Sequence, residues 1–277
     1  MSPESSTSVG SRGLPLVEAH DVHKLFGGVH ALSGVSLSIW QGETVGLVGD
    51  NGSGKTTLVN ILSGVYVPSK GAISVAGHPV HLSGPKAAQN LGIETVFQDL
   101  ALVGRFNVFE NIYLGRELFR GGVLRPLRWM RKRAMAAEAD RVLDDLSARL
   151  PGGGSAPVER MSGGQRQVVA IARGAHWCTR LLLLDEPTAA LGVAESQVVL
   201  TLLRGMAGRE LSMLVITHNL EHLWAIADRI VVLRRGRKVA DLRKDETSRE
   251  EVVAYITGAK GGDLTDEEWL RTVVTSG

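Results

Sequence analysis

The stretch GDNGSGKTT, residues 49–57, puts three glycines in six positions and follows them with a lysine and two hydroxyls. Glycine loses more conformational freedom on ordering than any other residue, so this concentration marks backbone that must approach something closely. The apolar run TVGLVG leads into it. KTTLVNILSG leaves it with Leu58, Ile61 and Leu62 on one helical face and Gly64 as the expected C-cap. A strand, a glycine loop and a helix in that order make G-x-x-x-x-G-K-T, here Gly49, Gly54, Lys55 and Thr56, a cradle for phosphate. The N–H groups of Gly49, Asp50, Asn51, Gly52, Ser53 and Gly54, continuing to Thr56 and Thr57, can curl around phosphate oxygens, and the helix N-terminus adds its positive end. Lys55 is expected to reach the β- and γ-phosphates of a nucleotide, and the Thr56 hydroxyl to ligate Mg²⁺. The motif alone does not choose among GTPases, kinases and ATPases.

Working outward, the chain reads as α/β. VSLSIW (Val35–Trp40) alternates like a half-buried strand, and short strands are expected over Ala72–Val75 and Gly92–Phe97. LLLLDEP and MLVITH are continuous apolar runs, as in parallel strands buried on both faces. RIVVLRRGRKVADL reads as two strands around a turn at Gly236. From about Asn107 to Leu150 the character is helical, and PGGGS (Pro151–Ser155) closes that region. The expectation is a mostly parallel sheet with flanking helices and an N-terminal antiparallel β part. A helical subdomain over about 99–160 interrupts the core, with boundaries near Gln98 and Met161.

Composition agrees with that class. The 277 residues are 44% hydrophobic, enough for a sizeable core, while aromatics are only 5% and glycines number 33. A net charge of +2 does not announce a nucleic-acid binder. The single cysteine, Cys178, excludes an internal disulfide framework and points to a reducing compartment. No apolar run approaches the ~20 residues of a membrane-spanning helix. The polar start, residues 1–14, reads as a disordered tail without a signal peptide, and residues 261–277 as a polar C-terminal tail. Residues 15–260 remain as the folded unit, expected in the cytoplasm.

Two further stretches carry chemistry. LLLLDEP ends in Asp185 and Glu186 where a buried strand meets its loop. Beside a phosphate cradle, Asp185 would hold Mg²⁺ and Glu186 would polarise an attacking water. In MSGGQRQ, the Ser162-Gly163-Gly164-Gln165 turn opens the apolar helix VVAIARGA, giving a second anion site of backbone N–H groups, a hydroxyl and a helix dipole. One nucleotide does not need two cradles on one chain. Two chains packed head to tail would use both.

With these motifs in view, residues 16–258 resemble an ATP-binding cassette (ABC) ATPase of the transporter type. Gly49–Thr56 resembles its Walker A loop, Leu181–Glu186 its Walker B strand, and Ser162–Gln165 its signature, with Met161 in place of the usual leucine. The resemblance implies ATP and Mg²⁺ as ligands, Gln98 as the Q-loop glutamine contacting Mg²⁺ and water, and His218 as the switch histidine on the γ-phosphate. It also makes Phe26 the aromatic that stacks on adenine. Gly192 stands where the D-loop commonly carries aspartate, which puts communication between the two nucleotide sites in doubt. GIETVFQDLAL together with EPTAALGV is similar to ATPases of importers for ribose, xylose, fructose and like monosaccharides. That likeness implies a homodimer of cassettes, integral-membrane permease subunits and a separate substrate-binding protein as partners. It also implies a peripheral place on the cytoplasmic membrane face, with no nucleic acid bound. The competing expectation is a soluble ABC-type ATPase acting on nucleic acid or ribosomes; long coiled-coil insertions, zinc motifs and a second cassette, usual there, are missing from this chain. A nucleotide-binding pseudo-ATPase is the other alternative. The run Arg116–Arg133, with seven Lys/Arg residues against Glu117, reads first as a solvated helical face and second as a contact for anionic headgroups.

Overall fold

The computed structural model describes residues 13–119, 129–207 and 211–261. The expectations for the two tails and for the middle of the basic run therefore fall on residues outside the described ones.

Two sheets build the described part of the molecule. The chain opens with an antiparallel hairpin, β1 (Val17–Phe26) and β2 (Val29–Ile39), turned by Gly27 and Gly28. It is joined by β4 (Lys70–Val75) and β5 (His78–Val80) in the order β2-β1-β4-β5. The second sheet contains β3 (Thr44–Val48), β6 (Ile93–Val96), β7 (Leu181–Asp185), β8 (Ser212–Ile216), β9 (Arg229–Arg234) and β10 (Arg237–Arg243). Its order is β10-β9-β3-β8-β7-β6, with every pair parallel except β9–β10, the hairpin around Gly236.

The apolar runs follow from burial on both faces. In β7, Leu181 and Leu183 face a core shared with the antiparallel sheet and α1 (Lys55–Leu62), while Leu182 and Leu184 face the opposite core. That opposite core is packed by α5 (Gly163–Trp177), α6 (Val193–Ala207), α7 (Leu220–Trp224) and α8 (Arg249–Thr257). Each such side chain taken out of water contributes roughly 1.5–3 kcal/mol, so a strand with no polar face is stable only between two layers. At the sheet margin, buried Arg229 ties the strand ends together. It donates to Glu43 Oε1 (2.7 Å) and Asp241 Oδ1 (2.6 Å), and it stacks on Trp40.

The short α2 (Pro85–Asn90) precedes β6. Between β6 and α5 lies the helical region, α3 (Val108–Ile112) and α4 (Lys132–Asp145), with fully buried Asn111 bonding back to Val103 and Asn107. The expected continuous helical character from Asn107 is corrected here. Phe119 and Met130 form an antiparallel bridge and Arg131 N–H donates to Leu118 O, so backbone pairing overrides helix propensity before α4 begins. The helix also ends before Leu150, because Ser147 adopts a left-handed φ of 55°. Arg116 is likewise no part of a solvated face. It pairs with buried Glu94 at 2.6 Å and lies over Trp177, while Lys132 pairs with Glu110 at 3.0 Å. At the end of α1 the C-cap is Ser63, and Gly64 follows it at φ 77°. Cys178 caps α5, and burial pushes its thiol up to about 11, consistent with the absence of any assigned chemistry.

Candidate active site

The buried β3 runs out into Gly49, whose φ of 147° carries the chain away from the sheet. A Cβ there would stand 2.0 Å from Leu233 O, so only glycine lets the loop pass β9 this closely. Ser53 N–H bonds to Asp50 O (3.1 Å), and Gly54, in the left-handed region at φ 103°, hands the chain to α1. No side chain caps α1 and no acid sits in its first turn, so the helix itself supplies no side-chain partner to its positive end. Asp50, Asn51, Gly52 and Thr56 are exposed at the rim; Ser53 and Gly54 are buried, and Thr57 is half-buried. Lys55 folds over the loop and donates to Gly49 O and Asp50 O, both at 2.7 Å. Burial lowers the pKa of its ammonium, against the opposing pull of Glu186, Asp50 and Asp185.

Across the sheet's C-terminal edge stand the acids. Asp185 is the buried last residue of β7; burial first, and Glu186 second, raise its pKa, with Lys55 acting against them. Glu186 follows at φ 51°, an uncommon conformation for a side chain of its size, fixed by its N–H donating to Ile216 O (2.9 Å). Its Oε2 lies 3.0 Å from His218 Nδ1, yet that contact lacks hydrogen-bond alignment, and Oε2 is a buried acceptor with no donor aimed at it among the described residues. The His218 ring itself is 75% exposed.

Register explains why these distant residues meet. Leu47 pairs with Ile216, Asp185 with Ile216 and Val96 with Leu184. One or two residues further on, the parallel strands deliver Gly49, His218, Glu186 and Gln98 to one edge. Gln98 sits there in an exposed bend after β6. Phe26, 41% exposed at the end of β1, meets Tyr66 edge-on at 5.1 Å under Lys24 Nζ. The neighbouring β2 brings Ala31 and Leu32 against Gly54, which places the antiparallel sheet beside the glycine loop.

The turn Ser162–Gln165 does not join this group. It caps α5: Ser162 Oγ accepts from Gln165 N–H (3.3 Å) and Gln165 Oε1 accepts from Ser162 N–H (3.0 Å). Its other neighbour is Glu195 on α6, whose Oε1 accepts from Ser162 Oγ (2.8 Å) and Gly164 N–H (3.2 Å). Sequence reasoning missed Glu195. It also missed the Thr188 Oγ1–His222 Nδ1 contact (3.0 Å), which ties the loop after the acids to α7. An acid in the first turn of α6 was visible in the sequence, but its partner lies 33 positions away, across a helix packing.

Strand, loop, acids and turn thus follow one pattern, and the ABC transporter family profile matches residues 32–189. The chain belongs to the ABC transporter family. Its fold is that of an ABC cassette, a P-loop ATPase. Among curated ABC relatives, it is 43% identical to the xylose/arabinose import ATP-binding protein XylG of Sulfolobus acidocaldarius, over 87% of this chain and 94% of that one. To the fructose import ATP-binding protein FrcA of Rhizobium meliloti it is 37% identical, over 89% and 95%. Among solved ABC cassettes, the ADP conformation of MJ1267 superposes with TM-score 0.75 at 23% identity, covering 93% of this chain and 99% of that one. The dimeric bacterial cassette MJ0796 superposes with TM-score 0.69 at 25% identity, covering 82% and 98%.

Proposed function

We propose that this chain is the ATP-hydrolysing subunit of a membrane importer for a monosaccharide, working as a pair of cassettes. The observation that carries the reading is the meeting of Lys55, Asp185 and Glu186 at one sheet edge while the Ser162 turn lies elsewhere on the chain. Relatives named for xylose/arabinose and fructose import support the substrate class, and the dimeric cassette supports the pairing. The working unit is residues 15–260, with residues 99–160 as its helical subdomain.

Lys55 exchanges its two carbonyl partners for the β- and γ-phosphate oxygens, and the amides of residues 49–57 hold the rest. Phe26 offers its exposed ring to adenine. Asp185 is a buried oxygen donor beside a second acid and short of positive charge; with Thr56 and Gln98 it fits a hard divalent cation. Bound there, Mg²⁺ supplies neutralisation of charge on the phosphate oxygens. Glu186 takes a proton from the attacking water on Oε2, the acceptor that has no donor aimed at it, and His218 beside it contacts the γ-phosphate. Ser162–Gln165 of a second copy closes over that phosphate. Closure is passed to permease subunits through the segment after Gln98, including Asn107–Glu117. The cassette thus sits peripherally on the cytoplasmic membrane face, served by a separate substrate-binding protein and binding no nucleic acid. Among the described residues no helix is long and apolar enough to cross a membrane.

The test is co-expression with the genes that neighbour this one, which the reading expects to encode a permease and a binding protein. The reading predicts co-purification with the permease and ATP hydrolysis that rises on adding the sugar-loaded binding protein. A cassette that stays apart from the membrane and carries RNA or DNA instead refutes it.

A further inference from the structure

The turn that would close over a second copy's nucleotide already holds an anion, and the anion belongs to the same chain. Glu195 Oε1 takes the Ser162 hydroxyl proton at 2.8 Å and the Gly164 N–H at 3.2 Å, and Oε2 takes the Gly192 N–H at 3.4 Å. The packing is close: a Cβ on Gly164 would stand 2.8 Å from Glu195 Cβ, so glycine is what admits the carboxylate. We infer that Glu195 is a built-in competitor for the γ-phosphate, and that it must swing off the Ser162–Gly164 donors before two cassettes close around ATP. The inference rests on the paired-cassette reading above.

Donor count makes the competition strict. A serine hydroxyl carries one proton and a backbone amide one N–H, so each serves one acceptor well at a time. Ser162 Oγ already accepts from Gln165 N–H, which leaves its single proton as the only thing it can offer an anion. Charge acts the same way. The bonds from Ser162, Gly164 and Gly192 hold Glu195 below the usual carboxylate range, so at neutral pH it is a negative charge in the place a phosphate would take. The link to Gly192 extends the consequence. Release of Glu195 also frees the D-loop amide, at the position where the family's aspartate is replaced by glycine, so one side chain ties together two loops that face a second copy.

A plain structural role for Glu195, capping α5 and tying it to α6, makes a different forecast, and Glu195→Gln separates the two. Glutamine keeps an acceptor for Ser162 and Gly164 but loses the charge. In the full chain carrying Glu186→Gln to block hydrolysis, the ATP concentration giving half-maximal dimer is measured by sedimentation with and without E195Q, in excess Mg²⁺. We expect E195Q to lower that concentration about fivefold or more while leaving the melting temperature nearly unchanged. Glu195→Ala should lower it as well, at some cost in stability. An unchanged or higher requirement in both variants, with E186Q still dimerising, refutes the competitor and leaves the pairing intact. E186Q that never dimerises at saturating ATP refutes the pairing itself.

Discussion

Among the described residues, the N-termini of α1 and α5 both offer donors to an anion, and they are kept in opposite conditions. At α1 the cradle has no protein acid in its first turn, and its lysine rests on the loop's own carbonyls. At α5 the cradle is filled by the chain's own carboxylate, which uses the serine and glycine donors. Both helices could attract a phosphate through the same dipole, yet only at α5 are the donors already bonded to a carboxylate. On the reading proposed above, a nucleotide binds first where no anion must leave, and the second cradle engages only when something displaces Glu195. On that reading the order of events is set by local electrostatics rather than by the fold.

The contrast can be broken most forcefully at the first cradle's edge. Glu186→Gln should cut the hydrolysis rate by about 10²–10⁴-fold, while ATP binding, followed by fluorescence or calorimetry, persists. A rate within threefold of the parent would remove Glu186 from the chemistry. Next in size is Gly49→Ala. The new methyl meets Leu233 O at 2.0 Å in backbone that disfavours side chains, so denaturant unfolding should show a loss of about 2–4 kcal/mol. Ser162→Ala removes a cap and the donor to Glu195, and should cost about 0.5–2 kcal/mol in the same measurement.

A smaller effect tests the acids. Because burial and Glu186 raise the folded-state pKa of Asp185, its ionisation weakens the nucleotide-free protein. Wild type loses stability at this position as pH rises through the raised value. Asp185→Asn should therefore raise the melting temperature slightly at pH 7, and the gain should vanish below the ordinary carboxylate range, where both forms are neutral. The smallest expected effect is Gly192→Asp. None of the described residues lies within 4 Å of a Cβ there, so stability should change by no more than about 0.5 kcal/mol.

How much of this was legible in the sequence depends on the distance between partners. The phosphate loop is contiguous, so residues 49–57 could be read before any fold was known. The two-sided burial of β7 showed itself as four consecutive leucines before Asp185. Gln98 and His218 were placed by resemblance, and the parallel register accounts for their edge position. What stayed hidden needed a packed partner. Glu195 reads as an ordinary acid at a helix start until α5 and α6 are laid side by side. Arg116 reads as one charge in a basic run until Glu94 appears beside it, 22 positions earlier in the chain. The break before α4 was hidden in part for the same reason: Gly115, left-handed at φ 77°, follows α3, and Phe119 then pairs with Met130 before α4 begins.

The central claim, that each ATP is held by the first cradle of one copy and the second cradle of another, has a direct test in mixing. Lys55→Ala disables the first cradle and Ser162→Ala the second, so neither variant alone has a complete site. Combined, a K55A copy and an S162A copy rebuild one complete site between them. The account predicts that the ATP hydrolysis rate of the mixture exceeds the sum of the two variants measured separately. A rate equal to that sum would contradict it.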